Sequence, residues 1–526
     1  MSENKIVRYE DFGAKGDGVT NDFAAMKAAH AHANEKGLKV VAECGKTYLI
    51  DKSGEEQICI MTDTVWEGAT IVIDDRYIFP YDAERNKPVF VVSSEYEKKV
   101  HGEDSELAKA IMAAGGIKTD TKKLPYAPGY PAMLIPNDND HRVYIRYGLN
   151  QNAGQAQHEV IVIDENGNID PDTPALLDYN HISFIEEYRI DDKPITILGG
   201  TVVTRANRAP SAYTYYGRNI TVRRSNVTVD GLKHRITDES NHGAPYVGFL
   251  NANGLNNLLV VNCDFQAHRW YWNEDPSTGG PTCMGTYEIG GGNANKLYYK
   301  NCTQINFFDP NGKPTMLWYD KDGNKGVCND KVGSSSGIWG VMGTNYCKNI
   351  TYDNCTLNRL DAHAGVYNAT IKNNSKVISV NLIGGGTALV EDSTIYNNLF
   401  INLRSDYGSF WHGDVKIKNS KFVCSAATQV LLNGTWTNHN FGYKTSLPNV
   451  EIDNLEFIGD GEEFYVFNDY AKDRCEGDIS ADTVVVNGET VENKNPMTLP
   501  ESISIKNCNK AIKIAPEGSC INKAFN

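Results

Sequence analysis

The sequence predicts an all-β fold wound as a solenoid, a parallel β-helix, and three observations predict it. A short unit recurs along the C-terminal two-thirds of the chain. Turn-forming residues are frequent, with 47 Gly and many Asn. A glycine-rich turn and one amphipathic helix stand ahead of everything else.

The opening comes first. Residues 9–22 read YEDFGAKGDGVTND, a turn that runs into a helix. Thr20, Asn21 or Asp22 can cap that helix. Phe23, Met26, Ala29 and Ala33 share one helical face, and Gly37 suits the position just past its end. Short strands follow at 40–42 and 47–50 around a Cys44-Gly45 turn. A solenoid needs such a cap, because its first rung leaves apolar surface and strand edges open.

Residues 51–195 are less regular and read as an inserted β-rich subdomain. Residues 104–114 suit a short helix capped by Asp104 or Ser105. Pro125, Pro128, Pro131 and Pro136 read as loop markers, and 143–147 and 160–163 as strands.

The repeat begins near residue 196 and runs to 526. Its unit is apolar-x-apolar, then Asn or Asp, then Cys or Ser. Val260-Val261-Asn262-Cys263, Tyr299-Lys300-Asn301-Cys302 and Tyr352-Asp353-Asn354-Cys355 are copies, and later ones end at Ser393, Ser420 and Cys508. The copies are unevenly spaced, as rungs with loop insertions would be. Asn tolerates a left-handed backbone, so the Asn-Cys/Ser step belongs at a corner, where its amide can ladder to the next rung. In such solenoids insertions build the binding face.

The block at 9–50 resembles the opening of the pectate-lyase-like superfamily, where the same turn and helix cap a right-handed parallel β-helix. The resemblance implies that fold and a carbohydrate substrate. It does not select a reaction, since lyases, hydrolases, epimerases and phage tailspikes share the opening. The Asn-Thr-Asp, Asp-Asp, Gly-His-Gly and Arg-Ile-Lys series of polygalacturonases does not occur in this sequence.

Composition narrows the partners. The net charge of −15 and the lack of a basic run argue against nucleic acid. The same charge disfavours a long polyanion unless a local cationic cleft overrides it. No secretory signal or membrane-length apolar stretch is visible, so a cytoplasmic enzyme with reduced cysteines is expected. No Cys-x-x-Cys pair exists, and no metal or cofactor is expected. A homo-oligomer, a side-by-side trimer included, is compatible with the acidic surface.

Four segments carry candidate chemistry. Asp238, Glu239 and His242 place two carboxyls beside a histidine. Arg269 and Trp270, with nearby Tyr287, offer a cation and rings for a sugar, and Glu288 adjoins a glycine run where backbone can approach a ligand. Asp361 and His363 share one face of a strand, about 7 Å apart, close enough to perturb each other's protonation. Arg404, Asp406, Tyr407, Trp411, His412 and Asp414 form the densest group.

Asp361 and Asp406 lie two to three rungs apart by repeat count, so side chains reaching across about 10–15 Å would approach the spacing of a glycosidase pair. The expected catalytic residues are therefore Asp361, His363, Asp406, Glu288 and Asp414. The expected sugar contacts are Arg404, Tyr407, Trp411, His412, His242, Asp238, Glu239, Arg269, Trp270 and Tyr287. The first expectation is a glycoside hydrolase acting on oligo- or polysaccharide. A lyase cleaving a uronate-containing glycan by β-elimination is the alternative, with Arg404 and Tyr407 or His412 in the lead. A non-catalytic, tailspike-like glycan binder is a third.

Overall fold

The structure, a computed structural model, describes residues 6–148, 151–240, 243–269, 271–273, 282–308, 312, 314, 340–424, 427–468, 470–471 and 475–521. Its chain winds as a right-handed parallel β-helix with three parallel sheets. The first sheet holds Ile58–Ile60, Phe90–Ser93, Ile220–Arg223, Arg359–Ala364, Ser379–Leu382 and Leu399–Leu403, among others. The second holds Ile195–Leu198, Val227–Asp230, Lys348–Asp353 and Val366–Lys372. The third runs from Asp17–Asn21 through Thr70–Asp74, Thr201–Arg205 and Lys233–Thr237. Long strands such as Leu250–Val261 and Tyr287–Lys300 bend from the first sheet onto the second.

Side-chain alternation explains the core. In the second sheet Val229, Val260, Tyr299, Tyr352, Ile371, Val390, Ile417 and Ile452 stand in register, rung over rung, and all are buried. Each apolar residue covers the one below it, so the core is a stack that lengthens without widening.

The corner after this sheet is where the repeat places its asparagines. Asn262, Asn301 and Asn354 have φ of 54°, 52° and 53°. Their amides form a ladder: Asn354 donates to Asn301 at 2.8 Å, Asn301 to Asn262 at 3.2 Å, and Asn262 to Asp230 at 2.9 Å. Behind them Cys263, Cys302 and Cys355 are buried with free thiols.

The helix Phe23–Lys36 sets Phe23, Met26, Ala29 and Ala33 into the first rungs. Of the three candidate caps, Asp22 holds the N-cap position and Asn21 supplies the side-chain bond. The Asp22 carboxylate turns back to the glycine-rich loop and accepts from the Lys15 and Gly16 amides at 2.7 and 3.1 Å, while Asn21 accepts from the Phe23 amide at 3.1 Å. The second helix, Glu106–Ala113, is capped by the Ser105 hydroxyl, which accepts from the Ala108 amide.

Solenoid strands continue within 51–195 as far as Phe90–Ser93, so the winding runs further than the reading of that whole span as an insertion. From Lys99 to Arg189 the chain forms an antiparallel sheet of five strands. Its central strand is Ala132–Val143, not 143–147, and it contains Pro136. The proline pairs with Ile185 on one side. On the other it falls in the gap between two partner strands, opposite Ile161 at Leu134 and His158 at Asn137, where no ladder donor is needed.

This sheet is fastened to the solenoid. Val143 and Tyr144 pack against Tyr346, Ala364, Ile383 and Phe410. The buried Lys348 ammonium donates to Glu159 at 2.8 Å and to the Pro174 carbonyl.

Candidate functional site

A polar column runs along the first sheet. Asn251, Gly290, Gly343, Asp361, Asn381, Asn402 and Asn433 follow one another in register. In the strand Arg359–Ala364, Leu360 and Ala362 point into the core, which turns Arg359, Asp361 and His363 outward.

His363 Nε2 lies 3.0 Å from Asp361 Oδ2, and Arg359 donates to the same carboxylate. Two rungs on, the chain leaves the sheet at Leu403 and makes one turn, Ser405–Tyr407, closed by Gly408 at a φ of 93°. That turn aims Arg404 back toward Asp361, with Nη1 3.6 Å from Oδ1. Arg404 also grips Asp406 through Nε at 3.0 Å and Nη2 at 2.6 Å. Arg146, from the inserted segment, donates to Asp406 from the other side at 2.8 Å. The Tyr407 ring lies near both guanidiniums, at 5.1 and 5.7 Å. Tyr287 Oη lies 3.4 Å from His363 Nε2. Gly343 makes room for this tyrosine, since a Cβ there would sit 2.6 Å from its ring.

Burial alone would push the Asp361 carboxyl up, but Arg359, His363 and Arg404 outweigh it and hold it well below the usual carboxylate range. Asp406 is held low in the same way, with the Arg404 and Arg146 charges overcoming burial. Burial lowers His363, and the Asp361 charge recovers only part of the loss, so the imidazole is neutral at pH 7. The group thus pairs two ionised carboxylates with three guanidiniums around a neutral base.

The other expected residues lie elsewhere. Glu288 is fully buried, and its carboxyl contacts His234 Nδ1 inside the wall. Burial pushes Glu288 well up and His234 well down, so both are neutral. Trp411 is expected at a sugar surface but is fully buried, with Nε1 donating to the Gly386 carbonyl at 3.0 Å. It is an inward position of the second sheet, in register with Gly384.

His412 and Asp414 line a cavity of about 360 Å³ on that second sheet with Tyr367 and Leu176, apart from the Asp361 group. Asp414 there faces Lys416 at 3.3 Å. Glu239 is spent on the His268 ring, the Arg269 amide and the Tyr271 hydroxyl, and Asp238 faces Arg76 and Arg208 at 3.8 Å. His242 and Trp270 lie outside the described residues.

Two members of the group were not expected. Arg359 stands two residues before Asp361 and shares its face, a signal legible in the alternation. Arg146 is 260 residues from Asp406, and nothing local marks it. Among the described residues, Asp138, Asp140 and His181 bring ligand atoms within 4.8 Å of one another. Asp138 already accepts from the Asp140 and His141 amides there.

The strand pairings make the chain a parallel β-helix. No family model and no curated protein matches it. Among solved structures it is similar to the tailspike gp61 of Pseudomonas phage phi297, at 12% identity and a TM-score of 0.41, over 89% of this chain and 81% of that one. It is similar to the surface protein and adhesin PfbA of Streptococcus pneumoniae, at 10% and 0.42, over 97% and 100%. It is also similar to the A-module of the mannuronan C-5 epimerase AlgE4 of Azotobacter vinelandii, at 9% and 0.23, over 97% of each. The likeness is one of chain course alone. No helix among the described residues is long and apolar enough to cross a membrane.

Proposed function

We propose that the chain is a carbohydrate-active enzyme that cleaves a uronate-containing glycan by β-elimination at the His363 group. The observation that carries this reading is a neutral histidine set among three arginines and two tyrosines, in a chain of net charge −15. A sugar carboxylate meets local positive charge there, against the acidic balance of the whole chain. Arg404 and Arg146 are the groups to neutralise it, which makes the neighbouring C5–H acidic.

With Nε2–H donated to Asp361, the other ring nitrogen of His363 holds the lone pair. It takes the C5 proton, the C–H electrons become the C4–C5 double bond, and the C4–O bond breaks. Tyr287 or Tyr407 is placed to protonate the departing oxygen, which becomes a new reducing end.

Hydrolysis needs one carboxyl held protonated near neutral pH and a second held ionised. Asp361 and Asp406 are both held ionised. Glu288 is held protonated, but it is sealed inside the wall. The elimination reading is therefore the better supported of the two.

The test is incubation with galacturonate and mannuronate oligomers, following reducing ends and the ultraviolet absorbance of an unsaturated uronate together. Both rising in step supports elimination. Reducing ends without absorbance would overturn it in favour of hydrolysis.

A further inference from the structure

A second cavity, of about 400 Å³, opens where the inserted sheet meets the first sheet of the solenoid. Tyr96, Lys98, Tyr188, Arg189, Arg223 and Asn253 are among the residues that line it.

Its charges are unevenly answered. The one lining carboxylate, Asp191, is buried and satisfied by Arg224 at 3.1 Å, the Ser94 hydroxyl at 2.7 Å and the Ser225 amide at 3.0 Å. Lys98 is shared with Glu186. Arg189 lies over the Tyr96 ring at 4.0 Å, and Arg223 is exposed. Among the described residues no carboxylate comes within ion-pair distance of either guanidinium. Gly254 allows Tyr188 to lie against the wall, since a Cβ there would sit 2.9 Å from the ring. Two guanidiniums without acidic partners beside two tyrosine rings match one chemistry well: a ring with a carboxylate on it, stacked on tyrosine and gripped by arginine.

The location adds to this. Ser93 and Arg223 are in register, and Asn253 stands beside Gly292 and Asn345 in the same sheet. From Asn251 the polar column reaches Asp361 in three rungs, about 14 Å at about 4.8 Å per rung. The cavity thus opens on the sheet that carries His363, toward the N-terminal end.

We infer that this cavity is a distal subsite for a carboxylated sugar unit of the same glycan, so that a long acidic chain lies along the solenoid from His363 to Arg223. The sugar class rests on the function proposed above, whereas the cavity rests on its own residues.

The experiment is calorimetric titration of galacturonate and mannuronate octamers and dimers, and of carboxyl-reduced octamers, into the intact protein. Wild type is compared with Arg223→Gln and with Arg189→Gln/Arg223→Gln, after thermal unfolding confirms that each variant is folded. The exposed Arg223 provides the single variant should the double one fail to fold. An acidic octamer is expected to lose about tenfold in affinity per arginine removed, with KM rising in parallel and kcat moving less.

The inference is overturned if the variants bind the acidic octamer as wild type does. It is equally overturned if the carboxyl-reduced octamer binds as tightly as the acidic one, or if no uronate binds at all. Octamer binding that depends on Arg189 and Arg223, without any absorbance from turnover, would remove the chemistry proposed at His363 and leave the subsite standing.

Discussion

Two histidine–carboxyl pairs in this molecule hold their carboxyls in opposite protonation states. Asp361 and His363 lie on the outer face of the first sheet, and Glu288 and His234 lie inside the wall. All four feel strong desolvation. Around Asp361, two arginines answer the carboxylate and it stays ionised. Around Glu288 the contacts are His234, itself stacked on Phe249 at 3.8 Å, with Thr204 at its far nitrogen, and the carboxyl is neutral. What decides between them is the third residue: an arginine beside the pair turns a buried acid into an anion.

The comparison breaks first at Arg404. Arg404→Ala leaves Asp361 and Asp406 each short of a partner, and one broken buried pair costs about 3–5 kcal/mol. Turnover should fall on the order of 10²–10³-fold. Arg404→Lys keeps the charge without the two-pronged grip on Asp406 and should recover part of both losses. Chemical denaturation and the absorbance assay separate the two effects. Full activity in Arg404→Ala would remove this arginine from the site.

His363→Gln should lower kcat on the order of 10²–10⁴-fold while the protein stays folded. The wild-type pH profile gives a sharper test. His363 is pushed below its ordinary value, so the acid limb of kcat/KM should lie below about 6.5. Asp361 raises His363, so Asp361→Asn should move that limb lower still. A limb unmoved by Asp361→Asn would mean that another group supplies the base.

How much of this was legible follows from what each feature depends on. The winding is local: alternation, a glycine turn and an Asn-Cys step repeat within short windows, so they can be read residue by residue. Asp361, His363, Arg404, Asp406, Tyr407 and Tyr287 come together because they share one sheet or flank it, and chemistry-bearing residues near strand ends mark that much.

Inward or outward facing was harder. Trp411 follows a bulged turn through Ser409 at a φ of 52°, which leaves no clear alternation to count from, and it enters the core. Arg146 and the distal cavity were hidden for another reason. Ser93, Arg223 and Asn253 are single polar residues in ordinary strands, and only the winding of the chain sets them side by side.

The neutral pair makes a prediction of opposite sign. A carboxyl whose folded pKa is raised supports stability fully below its unfolded value, about 4.3. That support is lost as pH rises toward the folded value, because the unfolded chain releases a proton the folded chain keeps. Glu288→Gln removes this penalty. At pH 8, where His234 is neutral in both states, the variant should be at least as stable as wild type, and its stability should depend less on pH. Asp361→Asn should be destabilised by about 3–5 kcal/mol at the same pH, because it removes the buried carboxylate that Arg359 and Arg404 share. Equal losses in the two variants would end the distinction between the pairs.

The smallest effect tests the corner that sets the register on which both pairs depend. Asn301 combines a φ of 52° with an amide donated to Asn262. Asn301→Gly keeps the backbone conformation and loses the amide, which costs about 0.5–1.5 kcal/mol. Asn301→Ala loses the amide and keeps a Cβ in the left-handed region without the polar side chain that makes it tolerable, a cost of about 1–2 kcal/mol that glycine escapes. Alanine should therefore destabilise more than glycine, with the gap measured by urea unfolding. A smaller loss for alanine would mean that the amide ladder, rather than the backbone angle, is what asparagine supplies at these corners.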